Sequence, residues 1–159
     1  MPRIVVLGCA GSGKSHLARR LGAQLGVPVY SLDDIWQPEW SAEMTPAFRD
    51  TLARLHAADA WISDGNFAAV SFDIRMPRAT LVVWLERPKW LCRWRAVTRV
   101  LRGDTFHRLR KLPEVLAFIA NFDRLNRPRI EALRLQNAPD VPVVRLRSED
   151  EIATFLRSQ

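Results

Sequence analysis

The chain has 159 residues, 48% of them apolar, enough for one domain with a real core and too many for a disordered chain. No apolar run approaches the ~20 residues of a bilayer span. The N-terminus lacks the charged lead and apolar core of a signal peptide, so a soluble, cytoplasmic protein is expected.

The elements follow in order. RIVVL, residues 3–7, is a short aliphatic run of the kind that forms a buried parallel strand. A glycine-rich loop comes next, then a helix with apolar residues at 17, 21 and 25 that Gly26 and Pro28 stop. VPVYSLD reads as the second strand. TPAFRDTLARLHAAD reads as a helix, with Thr45 as N-cap and Pro46 in the first turn, where a missing N–H costs nothing. AWISDG and ATLVVWLE read as the third and fourth strands. PKWLCRWRAVTRVLRG is a basic helix ending at Gly103, and GDTFHRLRKL has no clean period and reads as a loop. PEVLAFIANFDRLN is amphipathic, with Val115, Ile119 and Phe122 on one face, and Pro128 breaks the helix near Arg127. VPVVRLR is the fifth strand, and Ser148 with Glu151 has the spacing of a capping box for a last helix. Strands alternating with helices predict one α/β domain over residues 1–159, with a mainly parallel sheet covered on both faces.

The net charge of +7 is concentrated. Residues 87–134 carry 13 basic and four acidic side chains, and the rest of the chain carries 11 and 13. This segment should meet an anion: polyphosphate, nucleic acid or the bound substrate. Cys9 and Cys92 lack metal-ligand spacing and are expected to be buried or incidental thiols without redox chemistry. Trp61, Trp84 and Trp94 are expected in the core, whereas Trp36 and Trp40 lie close enough to Asp33 in sequence to stack on a ring acceptor. His56 and His107 have no carboxylate or serine partner in the pattern and receive no catalytic role.

GCAGSGKS, residues 8–15, fits the phosphate-loop pattern G-x-x-x-x-G-K-[ST] through Gly8, Gly13, Lys14 and Ser15. The strand before it and the helix after it separate it from a chance match. Consecutive backbone N–H groups and a helix N-terminus make an anion cradle, and glycine lets the backbone wrap closely. Gly8, Gly11, Ser12, Gly13, Lys14, Ser15 and His16 are therefore the candidate ATP-binding residues, with Lys14 on the β- and γ-phosphates and Ser15 on Mg²⁺. Lys14 is one of only three lysines beside 21 arginines, and a planar guanidinium would fit the cradle poorly.

Ligands of an open α/β sheet sit beyond the carboxyl ends of its strands. Asp33 and Asp64 stand at two such ends. Asp64 is the candidate for the metal, with a turn role in SDGNF as the alternative. Asp33 is the candidate for the acceptor, as ligand and base, with Asp34 as its local rival. Glu86, after strand four, is a weaker metal candidate because Pro88 turns the chain away.

GCAGSGKS, YSLDDIW, WISDGNF and LERPKWLCRWRAVTR, in this order, resemble the bacterial topology modulation (FlaR-type) proteins of the adenylate-kinase-like P-loop kinases. The resemblance covers most of the chain. It implies a five-stranded parallel sheet in the order 2-3-1-4-5, with a short lid at about residues 103–129. It also implies that Arg95 and Arg99 lie near the nucleotide, and that Arg124, with Arg127 or Arg129, clamps the transferring phosphoryl group. Asn66 of DGNF, Trp36 and Arg75 join Asp33 on the acceptor side. One departure matters: the arginine that adenylate kinases place four residues after the strand-three Asp is here Ala68, and the next on that side is Arg75. The implied activity is Mg²⁺-dependent transfer of the ATP γ-phosphoryl to a nucleoside, a nucleotide or another alcohol. The alternatives are a regulatory NTPase that grips nucleic acid through the basic segment, and a nucleotide sensor with little turnover. The sequence leaves the oligomeric state open.

Overall fold

The structure is a computed structural model that describes residues 1–36, 45–102 and 106–159, without the side chains of residues 102–111. Five parallel strands form the sheet: β1 (Arg3–Gly8), β2 (Val29–Ser31), β3 (Trp61–Asp64), β4 (Leu81–Leu85) and β5 (Val143–Leu146). Their order, β2-β3-β1-β4-β5, is the expected one. The helices are α1 (Lys14–Leu25), α2 (Leu32–Ile35), α3 (Thr45–His56), α4 (Ala68–Arg75), α5 (Lys89–Arg102), α6 (Phe106–Asn121), α7 (Arg127–Asn137) and α8 (Glu149–Arg157).

Side chains of a strand alternate between faces, and each face has its own core. Val5, Leu7, Trp61, Val82 and Trp84 pack with Phe72 of α4, Cys92 and Ala96 of α5, Ile119 of α6 and Ile130 of α7. Ile4, Val6, Ile62, Val83, Leu85 and Leu146 pack on the other face with Leu17 and Leu21 of α1 and Ile152, Phe155 and Leu156 of α8. Each fully buried large apolar side chain contributes about 1.5–3 kcal/mol. A satellite cluster of Leu32, Phe48 and Leu52 holds α3 against the ends of β2 and α4. Among the described residues no helix is long and apolar enough to cross a membrane.

The structure corrects several local expectations. Helix α4 lies in a stretch to which the apolar pattern assigned no element, because its buried face carries Ser71 and Arg75 beside Phe72. Helix α6 begins at Phe106, inside the expected loop, and includes Pro113. The break before Pro128 is a π-helical turn over 122–126, and Pro128 opens α7, where it displaces no hydrogen bond. The capping box is half formed: Ser148 Oγ accepts from Glu151 N–H at 3.1 Å, but the Glu151 carboxylate accepts from Arg147 N–H rather than from Ser148. Trp61 and Trp84 are fully buried as expected, whereas Trp94 is 63% exposed. The inward face of α5 is instead made by the small residues Cys92 and Ala96, which admit a close approach of the loop after β1.

Candidate active site

Parallel pairing brings the carboxyl ends of β1, β2 and β3 to one edge, with Asp64 in register with Val6 and Ser31. The loop from Gly8 to Gly13 springs from this edge into the N-terminus of α1. Its first turn closes through Ser12 N–H to Cys9 O at 3.2 Å, and α1 begins with Leu17 N–H to Gly13 O at 3.0 Å. Gly11 has φ +77°, and a Cβ there would stand 2.3 Å from the Cys92 carbonyl oxygen, so no other residue fits between loop and helix.

Asn66 fixes the start of the loop. Its side chain accepts from Gly8 N–H at 3.2 Å and donates to Gly8 O at 2.9 Å. The Asn66 amide, expected on the acceptor side, thus also clamps the loop's main chain, while Asn66 remains on the wall of the cavity that Asp33 lines. Arg75 departs from its expected acceptor role. It is fully buried, and its guanidinium donates to Ser71 Oγ and Ser63 Oγ at 3.0 Å, to Gly65 O at 2.6 Å and to Asn66 O. Burial pushes its pKa down and the Asp64 charge opposes this. Arg75 braces the turn after β3 from behind and cannot touch an acceptor.

Three adjoining cavities surround the loop. The first, about 600 Å³, lies between the loop and α5 and is bordered by Gly11, Ser12, Gly13, His16, Arg20, Arg95, Thr98, Arg99 and Glu149. The second, about 400 Å³, is lined by Gly13, Lys14, Ser15, His16, Asp33, Asn66, Phe67, Arg99 and Phe118. The third, about 430 Å³, continues past Ser15, Arg19, Ser31, Asp33, Asp34, Arg99, Leu112 and Val115. Each is of a size that takes a small molecule. Arg99 borders all three, and Asp33 the second and third.

Lys14 Nζ donates to Cys9 O at 3.0 Å within the loop. Burial lowers its pKa, opposed by the charges of Asp64 and Asp33. Asp33 is a surface residue in the first turn of α2, yet the protein around its carboxyl raises its pKa, with the Lys14 charge pulling the other way. Asp34 N–H is capped by Ser31 Oγ at 3.4 Å, and Asp34 borders only the outer part of the acceptor side. Asp64 is 2% exposed, and its Oδ1 has no protein hydrogen-bond partner, as is also true of the buried Ser12 Oγ. An orphaned carboxylate oxygen at the foot of the loop, near the Lys14 charge, fits a water-mediated hold on Mg²⁺, with Ser15 on the cavity wall as its companion.

The arginines divide. Arg95 donates to Ser12 O at 3.2 Å and to Glu149 Oε1 at 2.9 Å, so it lies against the loop, held by a carboxylate from α8. Arg87 shares that carboxylate at 2.6 Å. Arg124 departs from expectation: it is exposed, bonds Asn121 Oδ1 at 3.2 Å and borders none of the three cavities. Arg127 is paired with Glu86, and Arg129 borders a further hollow that shares Asn66, Phe67 and Phe118 with the second cavity. Glu86 also binds Arg145 at 2.6 Å and Arg147 at 3.0 Å, so three guanidiniums occupy the carboxylate once weighed for the metal. Trp36 packs edge-on against Phe48, ring centroids 5.0 Å apart, and meets Phe67 at 6.1 Å, so it supports the cavity wall through Phe67 rather than lining the cavity. Trp40 lies outside the described residues, as does the side chain of His107. His56 does have a serine partner, contrary to expectation: its ring is buried between Leu52 O at 2.8 Å and Ser63 Oγ at 2.9 Å, because folding brings β3 against the end of α3.

Sequence reasoning missed Arg19, Phe67, Phe118 and Glu149. Arg19 was within reach, since it lies four residues after Ser15 on α1 and shares its face. Glu149 and Phe118 come from distant helices, and nothing in the local pattern marks them.

No family model matches the sequence, and no curated protein matches it. Solved structures do resemble the fold. A shikimate kinase from Acinetobacter baumannii in complex with shikimate has a TM-score of 0.61 and 17% identity, over 99% of this chain and 90% of that one. A shikimate kinase from Bacteroides thetaiotaomicron gives 0.60 and 18%, over 99% and 95%. A gluconokinase from Sinorhizobium meliloti 1021 gives 0.58 and 18%, over 98% and 87%. The fold is that of the P-loop kinases. These neighbours give no support to the topology-modulation name that the sequence resembles.

Proposed function

We propose that the chain is an ATP-dependent phosphotransferase that moves the γ-phosphoryl group onto a hydroxyl of a small acceptor. The observation that carries this reading is one cavity lined by the phosphate loop with Lys14 and Ser15 on one wall and Asp33 on another. The larger cavity between loop and α5 has room for the rest of the nucleotide, beside Arg95 and Thr98.

Two observations favour a hydroxyl over a phosphate acceptor. The position that holds an acceptor phosphate in adenylate kinases is the neutral Ala68, and the nearest replacement, Arg75, is sealed behind the wall. Asp33, by contrast, faces the cavity with a raised pKa, which suits a base that must accept a proton in mid-reaction. The names of the neighbours point the same way, since shikimate and gluconate both offer hydroxyl groups. In the reaction the acceptor O–H gives its proton to Asp33 and its oxygen forms the new P–O bond, while the bond to the β,γ-bridging oxygen breaks and ADP leaves. Lys14 holds the phosphates, and Arg99, common to all three cavities, answers the charge on the transferring group. Ser15, and Asp64 through water, would hold Mg²⁺, which would supply charge neutralisation on the phosphates.

Among the described residues, five of the segment's 13 basic side chains are paired within the chain: Arg87 and Arg95 with Glu149, Lys89 with Asp123, Arg127 with Glu86 and Arg134 with Glu131. The cavity shared by Lys14, Ser15 and Asp33 is what favours a small-molecule kinase over a nucleic-acid grip. ADP release is to be measured with ATP and Mg²⁺ across sugars, sugar acids, other alcohols, nucleosides and nucleoside monophosphates. A hydroxyl-bearing acceptor should stimulate turnover, and Lys14→Ala should nearly abolish it. Stimulation by nucleoside monophosphates alone would overturn the acceptor assignment, and turnover indifferent to Lys14→Ala would overturn the whole reading.

A further inference from the structure

We propose that Cys9 and Cys92 form a redox modification site, oxidised by a hydroperoxide to a disulfide that ties the phosphate loop to α5. These are the only two cysteines in the chain, far apart in sequence, and the fold buries both in one packed cluster. Cys9 is the second residue of the loop. Cys92 stands on α5 where that helix touches the loop most closely, its carbonyl oxygen set against Gly11. Cys9 lies two residues before Gly11, the point at which the loop abuts Cys92, and the Cys92 sulfur reaches the Arg87 carbonyl at 3.9 Å. Packing alone would be met by any small apolar residue at either position; the paired sulfurs add a chemistry such residues lack.

The pair is also asymmetric. The neighbouring Cys9 thiol, with the charges of Lys14, Arg95 and Arg87, brings the Cys92 thiol down to about 7 against the effect of burial. The Cys9 thiol is pushed up by Cys92 and by burial. One sulfur is thus the nucleophile and the other the resolving thiol. The Cys92 thiolate attacks the outer oxygen of the hydroperoxide, breaks its O–O bond, and leaves a sulfenic acid and an alcohol. Cys9 sulfur then attacks Cys92 sulfur, the S–O bond breaks, and water leaves. The two sulfurs together lose two electrons and the peroxide gains them. Local opening of the loop admits the oxidant to these buried groups.

The disulfide fixes a loop that must adjust around phosphates, so the oxidised protein binds ATP more weakly. This consequence rests on the proposed ATP binding; the disulfide itself does not. The reduced protein is treated with hydrogen peroxide, alkylated under denaturing conditions, and weighed intact and after trypsin. ATP affinity is measured before treatment, after it and after dithiothreitol. The expected product lacks two hydrogen masses, takes up no alkylating agent, and joins peptide 4–14 to peptide 90–93. Its ATP affinity falls at least about tenfold, as for a loop locked away from its competent form, and dithiothreitol restores it. Cys92→Ala and Cys92→Ser, checked for folding by circular dichroism, give no cross-link and bind ATP equally before and after peroxide. Two thiols that still alkylate fully, or that gain oxygen atoms without cross-linking, overturn the site. A cross-link with unchanged ATP affinity overturns the loop consequence. Absence of ATP binding in the reduced protein, with the cross-link formed, overturns the nucleotide reading and leaves the thiol pair standing.

Discussion

Replacing Gly11 by alanine tests the fit of the loop against α5, and Gly26→Ala supplies the control. Both glycines have positive φ, +77° and +66°, so an added Cβ strains both backbones. That strain costs about 1–2 kcal/mol. At Gly26 the new methyl would meet nothing within 4 Å, so strain is the whole cost. At Gly11 it would stand 2.3 Å from the Cys92 carbonyl oxygen and 3.1 Å from its Cα, which are backbone atoms of a helix and cannot swing aside. Loop or helix must shift, which adds a further 1–3 kcal/mol, roughly, of overpacking. The expected totals are about 1–2 kcal/mol for Gly26→Ala and about 2–5 kcal/mol for Gly11→Ala. At about 2–4 °C per kcal/mol for a chain of this size, the second substitution lowers Tm by roughly 4–20 °C. Thermal and urea unfolding followed by circular dichroism measure the losses, and ATP titration should show binding impaired only for Gly11→Ala. Equal losses at the two positions, or intact ATP binding in Gly11→Ala, would refute the packing argument.

Asp33→Asn should lower acceptor-dependent kcat by about 10²–10⁴-fold with ATP affinity retained, because an amide cannot take the acceptor proton. The wild-type rate should also fall as pH drops through the raised Asp33 pKa, a limb that pH–rate profiles would show missing from the variant. Arg75→Met should cost about 3–5 kcal/mol of stability, since Gly65 O, Asn66 O and Ser63 Oγ lose their buried donor; a stable variant with only a raised acceptor KM would return Arg75 to the substrate. His56 is held neutral, its pKa pushed down by burial from 6.5 to about 4. The unfolded chain takes up that proton first as pH falls. The stability tied to the neutral ring is therefore fully present above about pH 6.5 and declines towards pH 4, by about 3 kcal/mol in all. Urea unfolding of wild type and His56→Gln across this range should show that slope in the wild type alone.

The sheet and the donor side were legible because their signals are local. Aliphatic runs such as RIVVL and LVVWL mark buried strands by themselves, and the loop's glycines, lysine and serine are contiguous. The acceptor side was only partly legible. Asp33 and Asp64 could be placed because a strand end fixes where a side chain goes. The bonds of Asn66 and Arg75 were not legible, because they are made with main-chain atoms of Gly8, Gly65 and Asn66 that only folding brings to them; Asn66 still lines the cavity with Asp33, whereas Arg75 is buried behind it. Trp94 was misplaced because KWLCRWRA offers two inward faces, one of tryptophans and one of Cys92 with Ala96. The choice between them depends on how closely the loop approaches α5 at Gly11, which is a tertiary fact. Arg124 shows the same limit: among many arginines, spacing alone does not reveal which reach the cavity.

The central claim is that phosphate leaves the loop for an oxygen beside Asp33. The direct measurement follows the label of ATP carrying a radioactive γ-phosphoryl group, with Mg²⁺ and the stimulating acceptor. The label should appear in a phosphate ester of that acceptor's hydroxyl, in step with ADP, and vanish from that product in Asp33→Asn. Label found only in inorganic phosphate, or in a diphosphate formed from a nucleoside monophosphate, would contradict the account.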